Sequence, residues 1–364
     1  MPKLGGDFMA DNANLGAAKA AKNDEFYTQW NDIENEMQAY LEYNPDVFRD
    51  KTILLPCDDP DWSNFTKYFA ERFEQLGLKR LISTSYAADG GNGKVFVLGG
   101  ENGPQWGHLA GDGDFRSDEV TALRDEADIV VTNPPFSLFR EFMAWLIEGE
   151  VEFSVIGSMN AITYKEIFPL IKGNEMWLGA SRMGAKYFAL PSNAPAKANQ
   201  HEENGVRFQK FGNIAWFTSI EHGRRHEPLA LMTMEDNLVY GSKKVRSAGY
   251  PKYDNYDAIE VPETKGIPSD YAGVMGVPIS FLDKYNPEQF EILGSRRWGK
   301  SRELLDVYTG NVNPPEDDKK TLIDGKETYD RIFIRHRRLT IQSLSRSRGG
   351  RSSLRCKREL SHIL

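Results

Sequence analysis

The chain has 364 residues, and its 45 Lys+Arg against 53 Asp+Glu give a net charge of −8. With 40 % apolar and 27 % charged residues, the disordered, collagen-like and low-complexity classes are excluded. The length argues for two domains of roughly 100–200 residues each. The acidic total argues against a nucleic-acid partner only until it is divided. Residues 1–160 carry 13 Lys+Arg and 28 Asp+Glu (net −15), residues 161–330 carry 22 and 24 (net −2), and residues 331–364 carry 10 and 1 (net +9). Cys57 and Cys356 are too few for a disulfide framework or a four-cysteine zinc site, and a reducing, cytoplasmic location is expected. The N-terminus lacks a secretory pattern and there is no run of about 18 apolar residues, so no membrane span is expected.

In chain order, residues 1–22 are rich in Gly, Ala and Asn and read as a flexible N-terminus. Asp32–Tyr43 is an amphipathic helix carrying Ile33, Met37, Tyr40 and Leu41 on one side. Thr52–Leu55 is an apolar strand ended by Pro56. Asn64–Leu76 repeats Phe65, Tyr68, Phe69, Phe73 and Leu76 at helical spacing before Gly77. Arg80–Thr84 is a strand, and residues 89–114 are loop-rich around a hairpin at Lys94–Leu98. Then follow a helix at Asp118–Glu126, a strand at Ile129–Thr132, a helix at Leu138–Ile147 and a strand at Glu152–Gly157. This alternation predicts an α/β domain with a mainly parallel sheet, whose ligands bind outside the carboxyl ends of the strands. Pro191–Gly205 reads as a polar linker. Residues 205–330 mix short strand-like runs with Pro, Gly and aromatic residues, the pattern of a second, irregular α+β domain.

The sharpest feature is Asn133-Pro134-Pro135-Phe136, at the carboxyl end of the Ile129–Thr132 strand. Two successive prolines fix two φ angles and remove two N–H donors. The Asn133 amide oxygen and the Pro134 carbonyl can then stand as rigid acceptors, a pair that suits a planar –NH2 group. Accepting both of its protons draws the nitrogen lone pair out of ring conjugation. Phe136 offers a face on which a ring can stack. A rigid turn that merely ends a strand is the competing reading; the preceding strand and the aromatic fourth residue favour chemistry.

This tetrapeptide resembles motif IV of amino-methyltransferases that use S-adenosylmethionine. Lys22–Gln29, Cys57–Pro60 with Ser63–Phe65, Gly212–Phe217, Tyr271–Pro278 and Phe281–Phe290 are similar to stretches of the EcoRI-type adenine-specific DNA methyltransferase family. The resemblance covers about residues 20–335. It implies a Rossmann-like SAM-dependent catalytic domain at 23–190 and a target-recognition region at 205–335. It also implies methyl transfer to N6 of an adenine flipped out of duplex DNA, as in restriction-modification. Asn133, Pro134 and Pro135 would frame the target amine and Phe136 would stack the base, with no metal required.

For the donor, Asp58 or Asp59, in the loop after the first strand, can meet the cationic amino-acid end, with Asn64 at the start of the following helix. Helix capping and a solvated acidic loop are the competing reading. The resemblance implies that Asp114 and Phe115 hold the donor's adenine, with Asp112 as a local rival to Asp114. Phe26, Tyr27 and Thr28 would fold back over the pocket. The loop Cys57–Ser63 lacks the glycines of most methyl-transfer sheets, though it matches this family. The acid that usually follows the second strand is missing; Ser85 or Tyr86 stands in its place.

The partner so implied is double-stranded DNA, with a cognate restriction endonuclease as a functional rather than a bound partner. Three basic clusters suit phosphate contact: Arg224 with Arg225; Lys243 and Lys244 with Arg246; and Arg296 and Arg297 with Lys300 and Arg302. Trp216, Phe217, Tyr250, Tyr253, Tyr256 and Trp298 lie near them in sequence, whereas Trp177, Tyr187 and Phe188 read as core. A solvated charged face is the competing reading of the clusters. RNA adenine, a protein glutamine amide, and a non-catalytic DNA-binding role are the competing functions. The Ser/Arg-rich tail, 336–364, reads as a disordered extension or the product of an altered reading frame.

Overall fold

The computed structural model describes residues 28–337 except 101–102, 182–183, 191–199 and 296–320. The chain divides into two compact units at Arg225/His226. The first unit opens with helix α1 (Trp30–Tyr43), which buries Ile33, Met37 and Tyr40. Strand β1 (Thr52–Leu55) follows, with all four residues buried, as expected where both sheet faces are covered. The predicted 64–76 helix is two pieces, α2 (Asn64–Glu71) and α3 (Phe73–Leu76), broken at Arg72. Arg72 is drawn back over Trp30 and Tyr68 and bonds Glu34 at 2.5 Å. Gly77, at φ +64°, stops α3 in the left-handed conformation.

Strands β2 (Arg80–Thr84), β3 (Lys94–Leu98) and β4 (Gln105–His108) come next, then α4 (Asp118–Asp125), β5 (Ile129–Thr132), α5 (Phe139–Glu148) and β6 (Glu152–Ser158). The first unit ends with α6 (Phe168–Gly173), β7 (Trp177–Leu178), β8 (Gly184–Ala189), β9 (Gln200–Glu203) and β10 (Val206–Thr218).

These strands make one sheet in the order β4-β3-β2-β1-β5-β6-β10-β7, with β8 and β9 also pairing with β10. Only the centre is parallel: β2, β1, β5 and β6. Antiparallel strands flank it on both sides. The Lys94–Leu98 segment is thus the first arm of a hairpin that extends the main sheet. Val206–Thr218, which the sequence assigns to the second region, is part of this sheet: Ile214–Thr218 lies along β6 and the preceding residues pair with β8 and β9. Ile214, Ala215, Trp216 and Phe217 are all buried there, and their burial carries the first unit past the Pro191–Gly205 linker. Phe65, Tyr68, Phe69, Ile53, Ile129, Trp216 and Phe188 form the core between α1, α2 and the sheet. Trp177 and Phe188 are core as expected, while Tyr187 is exposed against His201.

The second unit carries α7 (Met234–Tyr240), α8 (Lys243–Ala248) and four strands: β11 (Ala258–Glu260), β12 (Val274–Pro278), β13 (Phe290–Ser295) and β16 (Arg331–His336). They pair in the order β11-β12-β16-β13, with a small hairpin, β14 (Leu322–Ile323) and β15 (Lys326–Glu327), beside them in sequence. Tyr253, Tyr256, Ala258 and Phe333 cluster in its core. A buried pair, Arg331 with Glu260, ties β16 to β11 at 2.5 Å. Strand β16 reaches into the segment read as a tail, because Arg335 pairs with Glu291 at 2.7 Å and the buried His336 bonds the Pro268 carbonyl at 2.8 Å. Residues 338–364 lie outside the described residues.

Candidate functional site

Strand β1 is flanked by β2 on one side and β5 on the other, so the strand order reverses there. Sheets of this class form a ligand crevice at such a switch point, outside the carboxyl ends of the strands, here β1 and β5. The register Ile53–Ile129 and Leu54–Val130 brings the two strand ends level. A single carboxylate joins them. Asp58, 6 % exposed, accepts from Ser63 Oγ at 2.7 Å through one oxygen and from Thr132 Oγ1 at 2.6 Å through the other. Thr132 immediately precedes Asn133.

Further hydroxyls set the loop on this frame. Ser83 Oγ donates to the Asp58 carbonyl at 2.6 Å, Thr84 Oγ1 donates to the Pro56 carbonyl at 3.2 Å, and the Asp58 amide donates to the Thr84 carbonyl at 3.0 Å. Ser63 also caps α2, accepting from the Phe65 amide at 3.1 Å. One hydroxyl therefore fixes both the helix start and the carboxylate.

The Asn-Pro-Pro-Phe segment turns out of β5 with Pro135 at φ −56° and ψ 124°. Phe136 opens a short 3-10 turn held by the Leu138 amide on the Pro135 carbonyl at 3.0 Å. Pro134 is buried, and Asn133, Pro135 and Phe136 are half-buried. The Asn133 amide oxygen is shielded from solvent. Phe136 meets Phe211 edge-to-face at 6.2 Å, and Phe211 rests on Phe188, so the core sets the angle of the Phe136 ring.

The remaining donor-side candidates fall around this crevice in different states. Asp59 is engaged by Lys94 at 3.1 Å, and the same ammonium meets Asp61 at 2.5 Å. The Asp61 bond and then Asp59 raise the Lys94 pKa. Asn64 begins α2 and its Nδ2 donates to the Thr28 carbonyl at 2.8 Å, bringing the segment before α1 to the start of α2. Thr28 is buried, and its Oγ1 has no hydrogen-bond partner among the described residues. Phe26 and Tyr27 lie outside the described residues.

Asp114 is bound by Arg116 at 2.6 Å, and Arg116 reaches Glu141 of α5 at 2.5 Å. Phe115 is buried against Phe142 and Trp145, with ring centroids at 4.9 and 5.6 Å, so its ring belongs to the core. Ser85 is spent on the backbone of Lys94, taking its amide at 3.2 Å.

Tyr86 is different: it is 38 % exposed at the carboxyl end of β2. Burial, then Asp112 and Asp114, raise its pKa. The Ala87 amide donates to the Asp112 carbonyl at 2.7 Å. Gly113 lets the two segments approach this closely. It sits at φ +82°, and a Cβ there would collide with the Ser85 carbonyl oxygen. Trp62, in the loop after β1, is a second partly exposed aromatic at this end of the sheet. No spacing rule marks it in the sequence.

The basic clusters separate. Arg225 is a buried residue of the first unit; its guanidinium lies 3.7 Å over Trp177 and bonds Glu221 and Asn174. Those contacts hold it inside the fold, where a phosphate does not reach. Arg224 donates to the Ala180 carbonyl at 2.6 Å. Trp216, Phe217, Tyr253 and Tyr256 are buried core residues rather than surface aromatics. Lys243, Lys244 and Arg246 are exposed on α8 of the second unit. Arg296, Arg297 and Lys300, with Arg302 and Trp298, lie outside the described residues.

The sequence pattern of the family described as "Adenine-specific methyltransferase EcoRI" matches residues 14–97 and 101–337. The chain is similar to the Type II methyltransferase M.EcoRI of Escherichia coli, with 42 % identity over 91 % of this chain and 98 % of that protein. It is also similar to the Type II methyltransferases M.MpnI of Mycoplasma pneumoniae and M.MgeORF184P of Mycoplasma genitalium. These are 36 % and 38 % identical, over 89 % and 90 % of this chain and 98 % and 99 % of theirs.

Proposed function

The chain belongs to the adenine-specific EcoRI methyltransferase family, and from that premise we propose that it methylates N6 of a specific adenine in duplex DNA as the modification half of a restriction-modification pair. The observation that carries the reading is the Asp58 bridge. It joins the loop after β1 to Thr132, next to Asn133, and so brings a carboxylate loop and the Asn-Pro-Pro-Phe turn into one crevice.

The residues at this crevice fit S-adenosylmethionine, the donor that methyltransferases use. Asp58 suits an ammonium, since Asp59 is already engaged by Lys94, and the buried Thr28 hydroxyl beside Asn64 offers a polar partner. Tyr86, near Asp112 and Asp114, offers an aromatic face for an adenine. Bound there, S-adenosylmethionine supplies an electrophilic methyl group. Asn133 Oδ1 and the Pro134 carbonyl accept the two protons of the target amine and turn its lone pair out of the ring. Phe136, braced by Phe211, stacks the flipped base. Holding amine and donor in line carries most of the acceleration. Lys243, Lys244 and Arg246 contact phosphates.

The test is incubation with methyl-labelled S-adenosylmethionine and, separately, duplex DNA, RNA and protein. The product expected on hydrolysis of the DNA is N6-methyladenine. Label only in RNA or in a glutamine side chain would contradict the acceptor assigned here.

A further inference from the structure

Strand β6 ends at Ser158, on the strand next to the one that leads into the Asn-Pro-Pro-Phe turn. Ser154 bonds Tyr40 of α1 at 2.9 Å, and Ile156 lies in the core between α1, α2 and the sheet, so Ser158 continues that face. On β5, Ile129 and Val131 share the same core, and Asn133 follows at the same parity. Thr132 is level with Val155 in the parallel register. Ser158 therefore lies two residues further along and one strand across from Asn133, about 8 Å between Cα positions.

The Ser158 hydroxyl is held from two sides. The Asn160 amide donates to its Oγ at 3.3 Å, and Asn213 Nδ2 donates to it at 3.2 Å. Asn213 comes from the register shift between Phe211 and Ile214 of β10, where Gly212 and Asn213 drop out of the pairing with β8. A bulge of this kind re-aims a side chain, here towards β6. Phe211, which braces Phe136, stands at the other end of the same bulge. A serine oxygen has two acceptor positions and one proton. Both acceptor positions are taken, and no acceptor among the described residues takes the proton. Ser158 is thus a half-buried, fixed donor on the face, and at the end of the sheet, where Asn133 offers an acceptor.

An adenine amine is flanked by two nitrogens that are acceptors, N1 on one side and N7 on the other. Two hydrogen bonds of about 2.9 Å, with the short edge of the ring between them, match the span from Asn133 to Ser158. We infer that Ser158 Oγ–H donates to a ring nitrogen beside the target amine, with Asn213 and the Asn160 amide as the groups that aim it. Asn133 and Pro134 take the protons of the amine, and Ser158 supplies the opposite polarity next to it. A base presenting N–H at that place sets donor against donor and is rejected. This rests on the methyl-transfer reading above and adds to it a residue that selects the base.

The test is a cycle that changes the protein and the base together. A duplex with the sequence that the wild type methylates is made with adenine, 1-deazaadenine or 7-deazaadenine at the target position. Single-turnover methyl transfer is measured for the full chain as wild type, Ser158→Ala, Ser158→Thr and Asn213→Ala. Thermal melting and S-adenosylmethionine binding serve as controls. On adenine, Ser158→Ala should lose roughly two- to tenfold in rate, Asn213→Ala part of that factor and Ser158→Thr little. On the deaza base that lacks the contacted nitrogen, Ser158→Ala should lose nothing further relative to wild type. If Ser158→Ala loses the same factor on all three bases, or nothing on adenine, the contact is refuted while the methyl-transfer reading stands. Should Ser158→Ala melt early, the same comparison is read from Asn213→Ala, whose exposed side chain can be truncated without opening the core. If the wild type methylates no DNA, the underlying reading fails with the contact.

Discussion

Thr132→Val removes one hydroxyl and keeps the shape of the side chain. Its Oγ1 donates to Asp58 at 2.6 Å, and the carboxylate is 6 % exposed, so water does not replace the bond freely. A hydrogen bond to a charged group contributes about 1.5–3 kcal/mol, and a buried acceptor left short of a donor costs a similar amount. Because Ser63 continues to donate at 2.7 Å, the lower half of that range applies, about 2 kcal/mol. For a unit of this size each kcal/mol moves the midpoint by about 2–4 °C, so the first-unit Tm should fall by roughly 4–8 °C in scanning calorimetry. The freed carboxylate also loses its fixed aim, which costs about 0.5–1.5 kcal/mol on binding, a roughly two- to tenfold rise in the Kd for S-adenosylmethionine. Thr132→Ser, which keeps the hydroxyl, should restore the affinity. A Thr132→Val protein with wild-type Tm and wild-type donor affinity would refute the assignment of Asp58 as the joint of the site.

Two further outcomes are expected. Tyr86→Ala should raise the KM for S-adenosylmethionine about two- to tenfold with little change in kcat, and Tyr86→Phe should behave as wild type; equal KM values in steady-state assays would remove Tyr86 from the donor site. Burial holds the His222 and His336 imidazoles below the usual value of 6.5, so the unfolded chain takes up protons first as pH falls. Stability present above about pH 6.5 is therefore lost progressively below it. Chemical denaturation at a series of pH values should show that loss, reduced for the first unit in His222→Gln.

The parallel centre of the sheet was legible because Thr52–Leu55 and Ile129–Thr132 are continuous buried runs separated by helical periodicity. The Asn-Pro-Pro-Phe turn was legible because its chemistry is local. The antiparallel flank was not. Val206–Thr218 follows a polar, proline-containing stretch that looks like a domain boundary, and only its pairing with β6 shows that the chain returns. The Asp58–Thr132 bridge spans 74 positions, a separation that no local pattern records. Arg225 read as a surface cation because charge counting does not register the tryptophan beneath it. Glu36 was also missed. It is fully buried in α1, and it accepts the Ala180 and Ser181 amides at 2.8 and 2.7 Å, fixing the loop after β7 from across the first unit.

The most direct test of the central claim is quantification of N6-methyladenine in DNA from a host producing either the wild-type chain or Asn133→Ala. The wild type should deposit N6-methyladenine at one recurrent sequence. Asn133→Ala should fold, bind S-adenosylmethionine and deposit almost none. Equal modification by the two proteins would contradict the assigned role of the Asn133 amide.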